Sequence, residues 1–418
     1  MDRCDLTVSR DENVELTSTG ADTAMGRVLR CYWWPIAIAA DLEDRPTYVR
    51  VLGEDLVLFR DKRGRFGLLG ARCPHRRANL CIGTTGAEGL RCRYHGWLFD
   101  TQGRLLDTPG VSLGPDFKDG VRQLSYPVQE LGGVLFAYLG PAPAPLLPRF
   151  DFLIRPGFRI ARIIGFSDSN WLQLAENGVD PLHVTFAHAM TWKGVASAPV
   201  HMSFMETKWG LVYRSGRPID RKDHYSFREQ HWLMPGATLA SEGYGRMTSN
   251  DFGDVRGRHD LMPRGVRYNV PIDDSHTMLV RVIWLPEGTQ AQYSEPLLQS
   301  PDWRRQTIEP YSEYRRMEDT TKLGYEWPVS VSAQDATILD SMGPISDREH
   351  ENLMPSDRGV VIVRKLLRDA MVAVAANKDP KGTVRDETMN RVIEVPVFED
   401  VLSKPEFDRT TQAYMAAE

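Results

Sequence analysis

The sequence lacks the features that mark membrane proteins and nucleic-acid-binding proteins. None of its apolar runs reaches the ~18 residues that a membrane-spanning helix needs. The formal net charge of the 418 residues is −5, which argues against a surface dedicated to nucleic acid or to anionic lipid. Residues 1–12 carry scattered charges where a signal peptide would have an apolar core, so we expect a cytoplasmic protein.

Cysteine is scarce and confined to one end of the chain. Only five cysteines occur, all before residue 93. Cys4, Cys31 and Cys81 show no pattern of a disulfide framework, which again favours a reducing cytoplasm. The chain also has no Gly-x-Gly-x-x-Gly stretch between a strand and a helix, so we do not expect it to bind a nicotinamide cofactor itself.

The other two cysteines belong to the most informative pattern in the chain. Cys73-Pro74-His75 and Cys92-Arg93-Tyr94-His95 are separated by sixteen residues. Two loops with one Cys and one His each suit a Rieske [2Fe–2S] cluster, because one iron takes two thiolates and the other takes two imidazoles. A structural zinc site is the alternative, since zinc also accepts two Cys and two His. Zinc fingers usually group Cys with Cys and His with His, so the pattern favours the iron–sulfur cluster.

A second pair of candidate metal ligands follows at His183 and His188, with Asp180 just before them. Two His and one carboxylate on one face of iron(II) leave other coordination positions open for O₂. The two His are five residues apart, which places them about 140° apart on a regular helix. Both can reach one ion only if the helix ends or bulges between them, and Pro181 already disfavours an unbroken helix. Asp180 lies close enough to accept the outer N–H of His183. The alternative to an iron site is a helix with two purely structural histidines.

The pattern of strands and turns divides the chain near residue 150. Short predicted strands, separated by Gly-rich turns, indicate a small all-β unit before that point. The Pro-rich run 140–145 then marks a boundary. We therefore predict an N-terminal extension at 1–45, an all-β cluster domain at 46–150, and a larger domain with the second metal site at 151–418. The strands predicted in the all-β unit cover residues 48–52, 56–60, 66–69, 126–130 and 134–138.

The larger domain is predicted to be of the α+β class. Helical periodicity covers residues 171–187 and 360–376, and the second of these has one apolar face. An antiparallel sheet wrapped around this long helix would form a concave interior. The charged tail at 377–418 is predicted to pack loosely against the body or a neighbouring subunit. The strands predicted here cover residues 212–214, 225–232, 265–270 and 277–284.

These motifs resemble those of Rieske non-haem iron oxygenase α subunits. Residues 72–76 and 91–100 look like the two cluster-binding loops, and residues 170–188 look like the helix that binds the mononuclear iron. Residues 30–35, 334–335, 341–345 and 347–348 are similar to the phthalate dioxygenase branch, so the resemblance covers most of residues 25–375. One departure is Arg77, because these enzymes commonly carry Gly there. If the loop needs a positive φ at this position, Arg77 would be strained.

The resemblance implies a role for each candidate residue. His183 and His188 would bind iron(II) with Asp335 as the third ligand; Asp340 and Asp347 compete with Asp335 on sequence alone. Asp180 would link a cluster histidine of one subunit to an iron histidine of the next in a head-to-tail homotrimer, a closed heterologous ring. Four residues would bind the cluster: Cys73, His75, Cys92 and His95.

The resemblance also implies an enzyme activity and its partners. With O₂ as co-substrate, the protein would hydroxylate an aromatic or related apolar small molecule by ring dihydroxylation; O- or N-dealkylation of an aryl ether or anilide is the alternative. NAD(P)H would supply electrons only through a separate flavin iron–sulfur reductase, with or without a ferredoxin. Arg214, Arg217 and Arg228 are candidates for holding an aromatic carboxylate, or else solvated residues on a sheet. Two rival classes of protein explain less of the sequence. A Rieske-type electron carrier would not need His183 and His188, and a ligand-binding module without catalysis would not need the cluster.

Overall fold

Three small antiparallel sheets form the N-terminal half of the protein, whose computed structural model describes residues 8–110, 115–189, 197–242, 262–288 and 331–415. Their strand orders are β1-β11-β10, β2-β3-β4-β9 and β5-β6-β7-β8. The loops that contain Cys73 and Cys92 border the third sheet. The strands are β1 Trp33–Ile38, β2 Thr47–Val51, β3 Glu54–Arg60, β4 Phe66–Gly70, β5 Thr84–Thr85, β6 Leu90–Arg91, β7 Leu98–Phe99, β8 Leu105–Asp107, β9 Ser125–Tyr126, β10 Val128–Leu131 and β11 Val134–Tyr138.

One large antiparallel sheet forms the centre of the other half. Its order is β12-β18-β17-β16-β15-β14-β13, and β19 pairs with β15 beyond the end of β16. The predicted α+β class is confirmed by this mixture of a β-rich N-terminal half and a sheet packed with helices. The strands are β12 Gly157–Ser167, β13 His201–Thr207, β14 Gly210–Pro218, β15 His224–Leu233, β16 Ala237–Ser241, β17 Arg264–Asp273, β18 His276–Pro286 and β19 Phe398–Ser403.

Helices cover one side of the large sheet. The long helix α8 buries the apolar stripe Val363, Leu366, Leu367 and Ala370 against it, as its 3.6-residue periodicity predicted. Within the described residues, no helix is both long and apolar enough to cross a membrane. The helices are α1 Arg10–Thr17, α2 Ala24–Leu29, α3 Pro115–Gly120, α4 Asp151–Ile154, α5 Trp171–Asn177, α6 His183–Ala187, α7 Val331–Ser341, α8 Arg358–Ala375 and α9 Lys404–Met415.

The two halves are joined by backbone hydrogen bonds as well as by packing. The turn after β2 donates from Leu52 N–H and Gly53 N–H to the carbonyls of Pro271 and Ile272, at 2.9 and 2.8 Å. Helices α1 and α2 precede the β-rich half in sequence but pack on α5 and α8 of the other half. The N-terminal segment therefore braces the helices that surround the predicted iron site.

The structure corrects one prediction about a helix and one about the packing of the C-terminal tail. The single helix predicted over 171–187 is two short helices, because α5 ends before Gly178 and the chain turns at Pro181 before α6 begins. The tail is not loosely packed either. Its strand β19 joins the large sheet, and α9 places Phe407 in an apolar cluster with Phe227 and Leu402.

Strand β19 also carries a buried carboxylate into the sheet. Glu399 lies opposite Arg228 in the register of β15 and β19, with Arg228 Nε 3.5 Å from Glu399 Oε2. Ser241 Oγ donates to the same oxygen, whereas Oε1 is buried without a hydrogen-bond partner among the described residues. Burial raises the pKa of Glu399 to about 7; Arg228 opposes this shift, and the nearby carboxylates Glu242 and Asp400 add to it.

We predict that Glu399→Gln makes stability less dependent on pH. Since the pKa is raised on folding, the carboxyl stabilises the fold fully below its ordinary pKa, and this stabilisation is lost as the pH rises through about 7. The loss amounts to roughly 3 kcal/mol. Urea unfolding at pH 5 and pH 8 should show the variant gaining on the wild type at pH 8. Glu394→Gln, which removes an exposed carboxylate paired with Arg155, controls for the change in net charge. An equal stability difference at both pH values would contradict a buried, ionising Glu399.

Candidate metal centres

The two cysteine loops have the same backbone hydrogen bonds. In the first, Cys73 O accepts from the N–H four residues later, at Arg77, and Cys73 N–H donates to Ala78 O, at 2.8 and 2.9 Å. In the second, Cys92 makes the matching bonds with Gly96 and Trp97 at 3.0 and 2.8 Å. The residue that closes each turn has a positive φ. The two loops therefore present one cysteine and one histidine each in closely related turns.

Arg77 occupies the position that glycine fills in the second loop. Its φ is +62°, whereas that of Gly96 is +73°. The positive φ that the sequence raised as a source of strain is therefore present, at a cost of about 1 kcal/mol for a residue with a Cβ. The turn is kept, so the departure from Gly does not displace Cys73 or His75 from the pattern of the second loop.

The side chains of the four predicted cluster ligands converge at the tip of the third sheet. Cys73 and Cys92 are buried free thiols, and the rings of His75 and His95 lie 4.5 Å apart, centroid to centroid, on the exposed side. The ring of His75 stacks on Trp97 at 4.5 Å with only 6° between the planes. Burial raises the pKa of the Cys73 thiol to about 11, so its thiolate forms at neutral pH only with a cation beside it. Two buried thiols below two exposed imidazoles suit a Rieske cluster.

The second candidate site begins where helix α5 ends. The side chain of Asn170 caps α5 by accepting from Leu172 N–H at 3.0 Å, and the helix ends before Gly178. Asp180 then turns the chain, because its Oδ1 accepts from Leu182 N–H at 2.8 Å and from His183 N–H at 3.3 Å. Helix α6 starts at His183 and ends before His188, so the required break between the two histidines is the end of this helix.

Helix α7 brings Asp335 close to these two histidines, although Asp335 follows His188 by 147 residues in the sequence. Asp335 Oδ1 lies 3.5 Å from His183 Nε2 and 3.2 Å from His188 Nε2. The three ligand atoms lie within 4.8 Å of one another. Burial alone would raise the pKa of Asp335, but its close contacts with both histidines and the charge of Arg267 hold it well below its usual range. The carboxylate is therefore ionised, as a metal ligand must be.

The hydrogen bonds behind the histidines point both Nε2 atoms at the same place. His183 Nδ1–H donates to the carbonyl oxygen of Asp180 at 2.5 Å, and His188 Nδ1–H donates to Gln334 Oε1 at 2.7 Å. Each Nε2 is thereby left as a lone-pair donor. Asp335 Oδ1 is buried and has no hydrogen-bond partner among the described residues. A divalent metal ion fits this donor set of two imidazoles and one carboxylate, which is typical of non-haem iron(II).

The two competing carboxylates have other partners. Asp340 Oδ1 accepts from Ser167 Oγ at 2.6 Å. Asp347 lies on the surface, where its Oδ2 accepts from His350 at 2.8 Å. The sequence predicted that the carboxylate of Asp180 accepts the outer N–H of His183. In the structure the main-chain carbonyl of Asp180 accepts this hydrogen bond, and its carboxylate Oδ2 lies 3.8 Å from His183 Nδ1.

A cavity of about 170 Å³ opens beside these three residues between the sheet and helices α5–α7. Of the arginines proposed from the sequence, Arg217 and Arg228 line it. Arg214 does not; it faces the other side of the sheet, where it pairs with Glu229 at 2.7 Å and covers the ring of Tyr414. Among the described residues, four arginines and three carboxylates line the cavity: Arg217, Arg228, Arg267, Arg281, Asp180, Glu242 and Asp335.

Sequence reasoning missed Arg267 and Arg281, which lie directly opposite each other on β17 and β18. Arg281 makes two hydrogen bonds to Glu242 at 2.7 and 2.8 Å, and Arg267 contacts Asp335. The two strands flank one turn, and each arginine has apolar or aromatic neighbours in sequence: Val266 and Tyr268 beside Arg267, Val280 and Val282 beside Arg281. An isolated charge at matching positions of two buried strands was the signal that would have found them.

Comparison with known proteins agrees with both centres. The Rieske [2Fe-2S] domain family matches residues 32–118. The chain is 34% identical to the 5,5'-dehydrodivanillate O-demethylase oxygenase subunit of Sphingobium sp. over 94% of this chain and 87% of that protein. It is 31% identical to the 3-chlorobenzoate-3,4-dioxygenase oxygenase subunit of Comamonas testosteroni, over 88% of this chain and 89% of that protein. The fold is similar to that of NdmA from Pseudomonas putida CBB5 with caffeine, with a TM-score of 0.64 and 18% identity over 86% and 96% of the two chains.

The family carries a Rieske [2Fe–2S] cluster and a mononuclear iron, and the two donor sets fit these groups. With the cluster loops in the β-rich half and two histidines and a carboxylate beside the cavity of the other half, the chain belongs to the oxygenase subunits of the Rieske non-haem iron oxygenases.

Proposed function

We propose that this oxygenase acts on an aromatic carboxylate, held by arginines beside an iron bound to His183, His188 and Asp335. The observation that carries the substrate class is the charge of the cavity. Four arginines face three carboxylates there, and one of those carboxylates is the proposed ligand Asp335. A divalent iron adds further positive charge. A cavity with excess positive charge favours an anionic substrate.

The residues around the iron would each do one task. Gln334 and the Asp180 carbonyl keep His188 and His183 in the tautomer that presents Nε2 to the metal. Arg267 holds Asp335 Oδ2 at 3.2 Å and leaves Oδ1 directed at the histidines. Bound iron would supply O₂ activation. The arginines would fix the carboxylate end of the substrate and so decide which of its atoms lies nearest the metal.

Two reaction outcomes share this arrangement. Ring dihydroxylation is the outcome that we first inferred from the sequence, and a 31% identical relative is named a 3,4-dioxygenase. O-Demethylation is the second candidate, favoured by the 34% identical relative that is named an O-demethylase. The two differ in whether a ring carbon pair or a methoxy carbon is placed near the iron.

We predict that turnover requires the substrate's carboxylate. With ¹⁸O₂, NADH and a flavin iron–sulfur reductase, 3-methoxybenzoate and 3-chlorobenzoate should be oxygenated at least about tenfold more efficiently than the matching benzamides, because the arginine contacts are charge-assisted. Mass spectrometry separates the outcomes: formaldehyde release indicates demethylation, and a diol with two labelled oxygens indicates dihydroxylation. Amides consumed as efficiently as the acids would refute the proposed substrate class.

The choice of carboxylate ligand can be tested by iron content. We predict that Asp335→Ala lowers iron from about three to about two atoms per chain and leaves the Rieske absorbance unchanged, since the two centres share no ligand. Asp340→Ala is the matched control, because Asp340 lies on the same helix and should leave the iron content at about three. Loss of the mononuclear iron in Asp340→Ala instead would reassign the ligand.

Electron transfer would run between subunits. We propose that Cys73, His75, Cys92 and His95 hold the cluster, which a reductase in the cytoplasm reduces. His75 and His95 lie on the exposed tip of their sheet, so they are accessible to a neighbouring chain. Asp180 is partly exposed beside His183 and uses Oδ1 for its backbone hydrogen bonds, so Oδ2 suits a bridge to a cluster histidine of the next subunit in a head-to-tail homotrimer.

We predict that two inactive variants restore activity when they are mixed within one trimer. His95→Ala would keep its mononuclear iron, and His183→Ala would keep its cluster. Mixed trimers contain interfaces that pair an intact cluster with an intact iron, so a fraction of normal turnover should return. Co-expression supplies the mixed trimers, and homotrimers of each variant are the controls. If mixed trimers form and stay inactive, electron transfer occurs within one chain.

A further inference from the structure

Arg267 contacts both the predicted iron ligand and the space that the substrate would fill. Its Nη1 lies 3.2 Å from Asp335 Oδ2, and its Nη2 donates to Asn177 Oδ1 at 3.2 Å. Its Nε–H is buried and has no hydrogen-bond partner within the described part of the chain. Arg267 lines the cavity, and its guanidinium has one donor on the carboxylate of Asp335 and, on its Nε–Nη2 edge, one N–H without a partner among the described residues.

That edge has the geometry for a second carboxylate. Nε and Nη2 lie on the same side of a guanidinium and form the planar pair of donors that matches two carboxylate oxygens. Asn177 is a neutral acceptor for Nη2, and an anion would compete with it effectively. Thr238, directly opposite Arg267 on β16, lines the same cavity, and its Oγ1 has no partner among the described residues. Two donors without a partner among the described residues thus belong to paired positions of β16 and β17 at this cavity.

We infer that Arg267 bridges the substrate's carboxylate and Asp335, and so couples substrate binding to the iron. The inference rests on the proposed function, since it takes Asp335 as an iron ligand and an aromatic carboxylate as the substrate. It adds a role to Arg267 that simple anion binding does not include. Arg267 is then a positioning and coupling residue, whereas Arg281 and Arg228 pair with Glu242 and Glu399.

The sign of the coupling follows from charge. A guanidinium that binds a second carboxylate neutralises Asp335 less, so Asp335 becomes a stronger ligand for a divalent ion. Conversely, a metal bound by Asp335 would withdraw negative charge from its carboxylate. Arg267 would then interact less strongly with Asp335 and more strongly with the substrate's carboxylate. Metal and aromatic carboxylate should therefore tighten each other's binding by the same factor, because such coupling is reciprocal.

The test measures binding, so it is independent of turnover. The cluster-containing enzyme is depleted of mononuclear iron and dialysed anaerobically against Fe(II) with and without 3-methoxybenzoate; calorimetry then gives the 3-methoxybenzoate affinity with and without Fe(II). We expect each ligand to lower the other's Kd about tenfold in the wild type. In Arg267→Gln the factor should fall below about twofold. Rieske absorbance and circular dichroism verify that each variant is folded.

Arg281→Gln is the matched control, because Arg281 lies opposite Arg267 in the same cavity but pairs with Glu242. It should weaken 3-methoxybenzoate binding and keep the tenfold coupling. This result distinguishes the bridge from the general attraction between bound 3-methoxybenzoate and Fe(II), because both variants retain that attraction. 3-Methoxybenzamide should show no coupling in any form of the enzyme.

The possible failures are distinguishable. Undiminished coupling in Arg267→Gln overturns the bridge and leaves the proposed function intact. Equal loss of coupling in Arg267→Gln and Arg281→Gln also overturns it, because the effect would then belong to cavity charge as a whole. If 3-methoxybenzoate and 3-chlorobenzoate both fail to bind the wild type, the proposed substrate class is wrong and the bridge falls with it.

Discussion

The buried carboxylate of Glu176 holds together the helices on which the iron site is built. It accepts from Arg348 Nη2 at 2.8 Å and from Arg364 Nε at 2.6 Å, and both arginines are buried. Arg348 Nη1 also donates to Asn13 Oδ1 on α1 at 3.0 Å, and Arg364 also forms an ion pair with Glu351. Burial alone would raise the pKa of Glu176, but the two guanidinium groups hold it below its usual value. Since an unpaired buried charge costs about 3–5 kcal/mol, α5 is held in one position relative to α1 and α8.

That position decides where the metal ligands can meet. Helix α5 leads into the Asp180 turn and His183, and Gln173 on α5 donates to the carbonyls of Leu339 and Gly343 at the end of α7, both at 3.1 Å. Helix α7 is thereby held where Gln334 reaches His188 and Asp335 reaches both histidines. A three-residue ligand set drawn from two distant segments thus depends on charge pairs and amide contacts that lie outside the cavity.

The parts of the site that could be predicted from the sequence are those within one segment. Each cluster loop lies within a few residues, and the spacing of His183 and His188 already required a helix end between them. Asp335 is different, because nothing local separates it from Asp340 or Asp347, and only the packing of α7 decides. The tail was misjudged for a related reason. The charge of residues 377–418 favoured a loosely packed tail, whereas Arg228 and Ser241 contact the buried Glu399 from strands far away in sequence.

The charges around the proposed iron argue for an anionic substrate more strongly than any one arginine does. Two neutral imidazoles and one carboxylate leave iron(II) with a net charge of about +1, and Arg267 beside Asp335 adds another. The pairs Arg281–Glu242 and Arg228–Glu399 are closer to balance. Excess positive charge that lies partly buried is costly, and a carboxylate brought by the substrate would offset it. A neutral substrate would leave that charge in place, so the residues proposed to bind the metal would also select what binds beside it.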